Sequence, residues 1–304
     1  MNRLRLLYRS ALALPFIGAT FLIALPLQRR IIGPVFKNHT FMQHLITGGL
    51  RRLFGITWEF NQNSAPIERD RPTWYMANHP SPLDPVVLSR ILNKTSFVAA
   101  GWLTRIGALR AVGGAMRTLF VSQKKEEYYK QRDRGKIVEA FNYGMNVGMH
   151  PEGWTNDGKT VELFRAALAA VLYGAKAVDR KGNEVKLEKK VVVQGIAITV
   201  KSVNGTPVSE DETLRQKYSM HGENKLKSAF ELLANKNVHL ELNAFEPLDP
   251  TDPEYPDEFA LMNKLHSQIV AVVAPDQKEV GKAPIEATEG EDRTPKKLDD
   301  LSPH

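Results

Sequence analysis

The run VVVQGIAITV, residues 191 to 200, limits the fold more than any other stretch of this 304-residue chain. It is apolar at nearly every position and rich in β-branched residues, so it suits a strand covered on both faces. Strands of that kind belong to parallel sheets enclosed by helices. The segments before it alternate as such a sheet requires. PTWYMANH, TSFVAA, TLFVS and MNVGMH have the composition of strands. DPVVLSRILN, GWLTRIGALRAVGGAM, KKEEYYKQRDRGKIVEAFNYG and ELFRAALAAVLYGA have helical spacing of apolar residues. VDRKGNEVKLEK is a charged turn or hairpin inserted before the buried strand. After it come a helix in ENKLKSAFELLANKN, an alternating strand in VHLELNAFEPL, and a last helix in PDEFALMNKLHSQIVAVVA opened by Pro256. The expected fold class is α/β: a single domain over residues 55–274, with a mostly parallel central sheet flanked by helices. Residues 275–304 are rich in Pro, Glu, Asp and Lys without an apolar period, and are expected to be disordered. No internal repeat is present.

Ahead of that domain lies ALALPFIGATFLIALPL, residues 11 to 27, which has no charged residue. Residues 1 to 60 hold eight Lys and Arg against Glu59 alone, a local surplus equal to the +7 of the whole chain. Basic residues on both sides of an apolar helix suit anionic lipid head groups, whereas nucleic acid gives no reason for the apolar stretch. As a helix the stretch reaches about 26 Å at ~1.5 Å per residue, slightly short of a hydrocarbon core of roughly 30 Å. No small-x-small cleavage site follows, so residues 1–54 are expected to be a retained membrane anchor, with HTFMQHLITGGLRRLFG as its amphipathic second helix. The expected localisation is membrane-associated, on the cytoplasmic face. The chain has no cysteine, which excludes disulfides, thiolate metal sites and a cysteine nucleophile.

Chemistry enters with YMANHPSPLDPVV, residues 75 to 87. Pro80 and Pro82 end the strand near Asn78, and Asp84 followed by Pro85 opens a helix. His79 therefore sits on a stiff loop at a strand's carboxyl end, with Asp84 in reach. A carboxylate on one imidazole nitrogen fixes the tautomer, leaves the other nitrogen as a base and stabilises the imidazolium. The same two residues also make an ordinary loop histidine and helix cap, and spacing alone leaves both readings open. GMHPEGWTNDG, residues 148 to 158, places Glu152 and Gly153 at the carboxyl end of another strand, the edge where open α/β sheets bind ligands.

Together, NHPSPLD and, some 70 residues on, HPEGWT resemble the two most diagnostic motifs of the glycerolipid acyltransferase family that includes 1-acylglycerol-3-phosphate acyltransferases. GGAMRTLFVSQ stands where that family has a Gly-x-x-Phe-x-x-Arg block, ELFRAA resembles its Phe-Lys-x-Gly segment, and VVVQGIAI its buried strand. The resemblance implies acyl transfer from acyl-CoA or acyl carrier protein to a membrane lipid acceptor, a lysophospholipid or glycerol-phosphate hydroxyl, with no cofactor and no metal. It implies His79 as general base, Asp84 as its orienting partner, and Glu152 with Gly153 at the acceptor. Departures accompany it. Gln123 falls where the family has a phosphate-binding arginine, Arg165 where it has lysine, His150 where it has an aromatic, and Gln194 at or beside its proline. Lys124, Lys125, Arg117 and Arg165 are the cations left to hold a head group. The chain is expected to be a divergent member.

A second reading has His79, Asp84, His150 and Glu152 converge on zinc or iron in a metal-dependent hydrolase. No His-Glu-x-x-His helix supports it. A serine hydrolase lacks its Gly-x-Ser-x-Gly elbow, with Ser81 set between prolines.

Overall fold

The 191–200 run supplies the first nine residues of the longest strand in an eight-stranded sheet. The computed structural model describes residues 3–36, 40–122, 124–219 and 231–277. The strands are β1 (Ile56–Phe60), β2 (Thr73–Ala77), β3 (Thr95–Ala100), β4 (Leu119–Val121), β5 (Asn146–Met149), β6 (Val192–Val203), β7 (Thr206–Pro207) and β8 (Val238–Ala244). Their order is β1-β8-β6-β2-β5-β3-β4, with β7 paired to β6. β2 through β6 run parallel, as the buried runs require, while β8 is antiparallel to β6 and carries β1 parallel to itself.

That reversal has a consequence for the site. Because β8 runs against β6, the starts of β8 and β1 lie at the edge where the parallel strands end. β6 also outruns its neighbour: Ala77 pairs with Ile196, whereas Val203 still pairs with Val238. At ~3.3 Å per residue, residues 197 to 203 rise about 23 Å beyond the end of β2 and wall one side of that edge.

Alternate side chains of each buried strand face two cores. Trp74, Met76, Val193 and Ala197 pack with Ile137 and Phe141 of α5 (Glu127–Asn142) and with Leu261, Leu265 and Ile269 of α7 (Glu258–Val273). Tyr75, Ala77, Ile196 and Ile198 pack on the other face with Val87, Leu88 and Ile91 of α3 (Asp84–Ile91). Each buried Val, Leu, Ile, Phe or Met among them contributes roughly 1.5–3 kcal/mol. Further helices among the described residues are α1 (Arg3–Val35), α2 (Phe41–Phe54), α4 (Gly107–Ala115) and α6 (Thr213–Ser219), and residues 231–234 are also helical. α2 stops at Gly55, whose φ of 68° and close approach to the Lys236 carbonyl admit no side chain.

Among the described residues α1 is the one helix long and apolar enough to cross a membrane, and only 11% of its most apolar window is buried. It carries Pro15 inside its first half, and π-helical turns at Thr20–Ala24 and Gln28–Ile32 flank Pro26. Its ties to the rest are local. Arg9 donates to the carbonyls of Leu233, Asn235 and Lys236 just before β8, Phe16 lies over Gly49, and Gln28 accepts the Met42 N–H at 3.0 Å.

Several expected elements differ. ELFRAALAAVLYGA forms no long helix, only a 3-10 turn at Ala169–Tyr173, because its first residues are spent as a strap. The Glu162 N–H bonds Glu152 and the Arg165 N–H bonds the Pro151 carbonyl, bonds a helix would forbid. GWLTRIGALRAVGGAM splits into a 3-10 turn, Gly101–Arg105, and α4. α7 starts after Asp257, whose carboxylate accepts the Ala260 N–H at 2.8 Å, so Pro256 precedes the cap. The helix expected in residues 223–237 is described only from residue 231, and the tail expected to be disordered lies outside the described residues from 278 onward.

Candidate active site

β2 ends at Ala77 while β6 continues, which leaves backbone groups of Ile198 to be satisfied. Asn78 meets both with its side chain: Oδ1 accepts the Ile198 N–H at 2.7 Å and Nδ2 donates to the Ile198 carbonyl at 3.0 Å. The chain is thereby released over the sheet edge at His79. Its N–H donates to Glu152 Oε1 at 2.5 Å and its carbonyl accepts the Asn156 N–H at 3.0 Å, so the loop is fixed on both sides.

His79 Nδ1 meets Asp84 Oδ2 at 2.8 Å. Asp84 is the first residue of α3 but does not cap it; its Oδ2 also accepts the Ser81 N–H at 2.8 Å, and Oδ1 accepts the Tyr218 hydroxyl at 2.8 Å. The carboxylate is fully buried, and burial pushes its pKa up against the pull of His150, Ser81 and Tyr218. Burial likewise holds the His79 imidazole well below its ordinary value. The network therefore assigns a neutral ring with its proton on Nδ1, shared with Asp84, and a lone pair on Nε2. The His79 side chain keeps 18% of its surface exposed, against none for Asp84, so the imidazole is open to solvent and its partner is not.

Under His79 lies a second imidazole. The His150 ring stacks on it with centroids 4.0 Å apart and planes 9° from parallel. Its Nδ1 faces the carbonyls of Ala77 at 3.1 Å and Asn78 at 2.9 Å, so that nitrogen carries the hydrogen. Nε2 is buried without a partner, and burial, then the neighbouring His79, lower the ring's pKa. His79, Asp84 and His150 each offer a donor atom within 4.8 Å of the others. They do not fit one ion. In-plane lone pairs of two stacked parallel rings run side by side instead of converging, both Nδ1 atoms are engaged, and each Asp84 oxygen already accepts a hydrogen bond.

Comparison with known proteins finds a likeness over the residues that carry the site. The family model named Acyltransferase matches residues 60–198, a range that holds both motif loops and the β2–β6 sheet joining them. Over those residues the chain is similar to the acyltransferase family. The fold agrees: the crystal structure of the 1-acyl-sn-glycerophosphate (LPA) acyltransferase PlsC from Thermotoga maritima superposes with a TM-score of 0.55 at 15% identity, covering 91% of this chain and 97% of that one. No curated protein matches the sequence. NHPSPLD and HPEGWT, which carry the glycerolipid resemblance, both lie within the matched residues.

The expected site residues divide by position. Glu152 is 2% exposed, and both its oxygens are engaged: Oε1 by His79 N–H, Oε2 by Asn156 Nδ2 at 2.6 Å and Glu162 N–H at 2.8 Å. Burial drives its pKa up to about 7. Its carboxylate ties the two motif loops together. Gly153 has φ 79°, and any Cβ there would meet the Arg165 guanidinium at 3.0 Å, so this glycine makes room for Arg165, which leans over Trp154. The Gly153 N–H itself is bonded to the His150 carbonyl at 3.1 Å. Lys124 follows β4 on the site's edge with its ammonium 4.2 Å from the Tyr129 ring, and Lys125 is exposed beside it. Arg117 stands apart: it precedes β4, stacks on Tyr143 at 3.9 Å, and so occupies the opposite edge of the sheet. Gln123 lies outside the described residues.

Sequence reasoning missed Tyr218. It comes from α6, 134 residues after Asp84, completes the carboxylate's shell, and has its carbonyl bonded by Ser81 Oγ at 2.6 Å. Only the apolar spacing of Leu214 and Tyr218 in TLRQKYS hinted at a packed helix there.

Proposed function

We propose that this protein moves a fatty acyl chain from acyl-CoA or acyl carrier protein to the hydroxyl of a lysophospholipid or glycerol-phosphate-type acceptor. The observation that carries the reading is the 2.8 Å His79–Asp84 pair, with Asp84 sealed and His79 reachable. His79 Nε2 takes the acceptor hydroxyl's proton as that oxygen attacks the thioester carbonyl. The tetrahedral adduct then expels the thiolate, which leaves as a thiol with the proton returned from the imidazolium. Asp84 holds the tautomer and balances the imidazolium charge. No acyl-enzyme is needed, since a thioester is already activated and positioning with one base suffices. Arg165 and Lys124 are the cations on this edge proposed to meet a head-group phosphate, and Glu152 with Gly153 shape the acceptor side by fixing the loops. Residues 1–54 are proposed as the membrane anchor of a domain spanning 55–274, on the cytoplasmic face.

The test is thiol release from acyl-CoA or acyl carrier protein by purified protein, with and without lysophosphatidate, alongside lipid product analysis. Thiol release that depends on the acceptor and yields phosphatidate is expected, unchanged by a chelator. Equal release without acceptor, or its loss on chelation, would turn the reading toward a hydrolase.

A further inference from the structure

Residues 85 to 125 contain no Asp or Glu but seven Lys and Arg. The whole-chain charge conceals this second basic block, because acidic residues further along offset it. At its centre β3 ends at Ala100, on the same sheet edge as His79, and the chain passes through the Gly101–Arg105 turn into α4. The end of α4 is anchored: Ala115, with Val112 and Met116, packs against Leu25 of α1 and Met42 and Ile46 of α2. Its beginning is not. Residues 105 to 111 are all exposed, including Ile106 at 43% and Leu109 at 42%, with Trp102 at 36% beside them.

Water alone does not account for this arrangement. A short helix that presents isoleucine, leucine and a nearby tryptophan to solvent, flanked by Arg105 and Arg110, has the composition of an interfacial segment, apolar groups below and cations at head-group level. Among the described residues neither arginine has an ion-pair partner. The surface continues from the α1–α2 pair through their shared packing with α4, so a bilayer that receives α1 is brought to it. We infer that Trp102, Ile106 and Leu109, with Arg105 and Arg110, form a second and shallow membrane contact against anionic lipid, separate from the N-terminal anchor and beside the edge that carries His79. This rests on the membrane-lipid acceptor proposed above, and it gives that acceptor a short path from the lipid surface to the base.

The absence of cysteine makes the test direct. Leu109→Cys and, on the opposite sheet edge, Lys189→Cys are each labelled in the full chain with a polarity-sensitive dye. Each is mixed with vesicles of phosphatidylglycerol and phosphatidylcholine, while sedimentation reports binding. Bound protein should show a blue-shifted, several-fold less iodide-quenchable label at 109 and an unchanged label at 189. Arg105→Gln and Arg110→Gln should each lower vesicle affinity roughly fivefold, at about 1 kcal/mol per charge near an anionic surface. Protein that sediments while the 109 label stays fully quenchable overturns this contact and spares the anchor. Protein that does not sediment overturns both. Protection at 109 that appears without lipid and grows with protein concentration assigns the face to a second copy, and also overturns the proposal.

Discussion

The His79 loop and helix α1 are held to the same domain in opposite ways. Around His79, several buried polar groups find partners far along the chain, His150 Nε2 excepted: Ile198 for Asn78, Glu152 and Asn156 for the His79 backbone, Tyr218 for Asp84. Along α1, by contrast, Leu4, Leu7, Leu14 and Leu22 stand exposed, and the polar ties are Arg9 and Gln28 with few others. The first region is held almost wholly by the protein's own groups, so changes there are expected to cost stability or activity. The second leaves apolar surface uncovered at about 25 cal/mol per Å², a deficit that a lipid phase removes.

The sharpest way to test that contrast is at His79, the member of the pair that solvent reaches. His79→Ala should lower acyl transfer by about 10²- to 10⁴-fold, the usual weight of a general base, with the thermal unfolding midpoint nearly kept. Near-normal turnover in the folded variant would break the assignment of the loop to chemistry. The converse change is deletion of residues 1–30. It should abolish most vesicle sedimentation yet leave cooperative unfolding of the α/β domain, lowered slightly by loss of the Arg9 and Phe16 contacts. Unchanged sedimentation after a high-salt wash would show that α1 is not what holds the protein to lipid.

A smaller effect separates two roles within the site. Glu152→Ala leaves the His79 and Glu162 N–H groups without acceptors, and each such buried group costs about 1–3 kcal/mol. Stability and activity should therefore fall together. If KM for the acceptor rises while the unfolding midpoint stays, Glu152 touches substrate and the loops are fixed by something else.

How far the sequence carried these conclusions differs between the same two regions. Periodicity gave the parallel sheet, because a strand like VVVQGIAITV has few other environments, and apolarity with charge marked α1. The His-Asp pair was legible because it is local, five residues apart on one loop. What stayed hidden is long-range. Nothing in TLRQKYS announces that Tyr218 will donate to a carboxylate 134 residues away, and the strap at 162–166 has helical composition yet spends its N–H groups on Glu152 and Pro151. Arg117 looked like a head-group cation by its nearness in sequence to Gln123. The sheet puts it at the far edge, since a residue before a strand and a residue after it are separated by the strand's length.

The mildest prediction concerns the ring beneath the base. His150 is held at about 3, against an ordinary 6.5, by burial and by the adjacent imidazole. Between those values the unfolded chain binds a proton that the folded protein refuses, so the wild type should lose stability as pH falls from 6.5 toward 3. One such group contributes at most about 1.4 kcal/mol per pH unit. His150→Phe keeps an aromatic face against His79 and removes the titrating nitrogen. Its unfolding free energy, measured in denaturant across that range, should decline less steeply than the wild type's. At neutral pH, transfer should change little, because His150 contacts the His79 ring and backbone carbonyls, away from the proposed base nitrogen Nε2. Parallel stability curves for the two proteins would mean that His150 titrates alike folded and unfolded. Water would then reach under His79, and the closed character assigned to this loop, on which its contrast with α1 depends, would have to be given up.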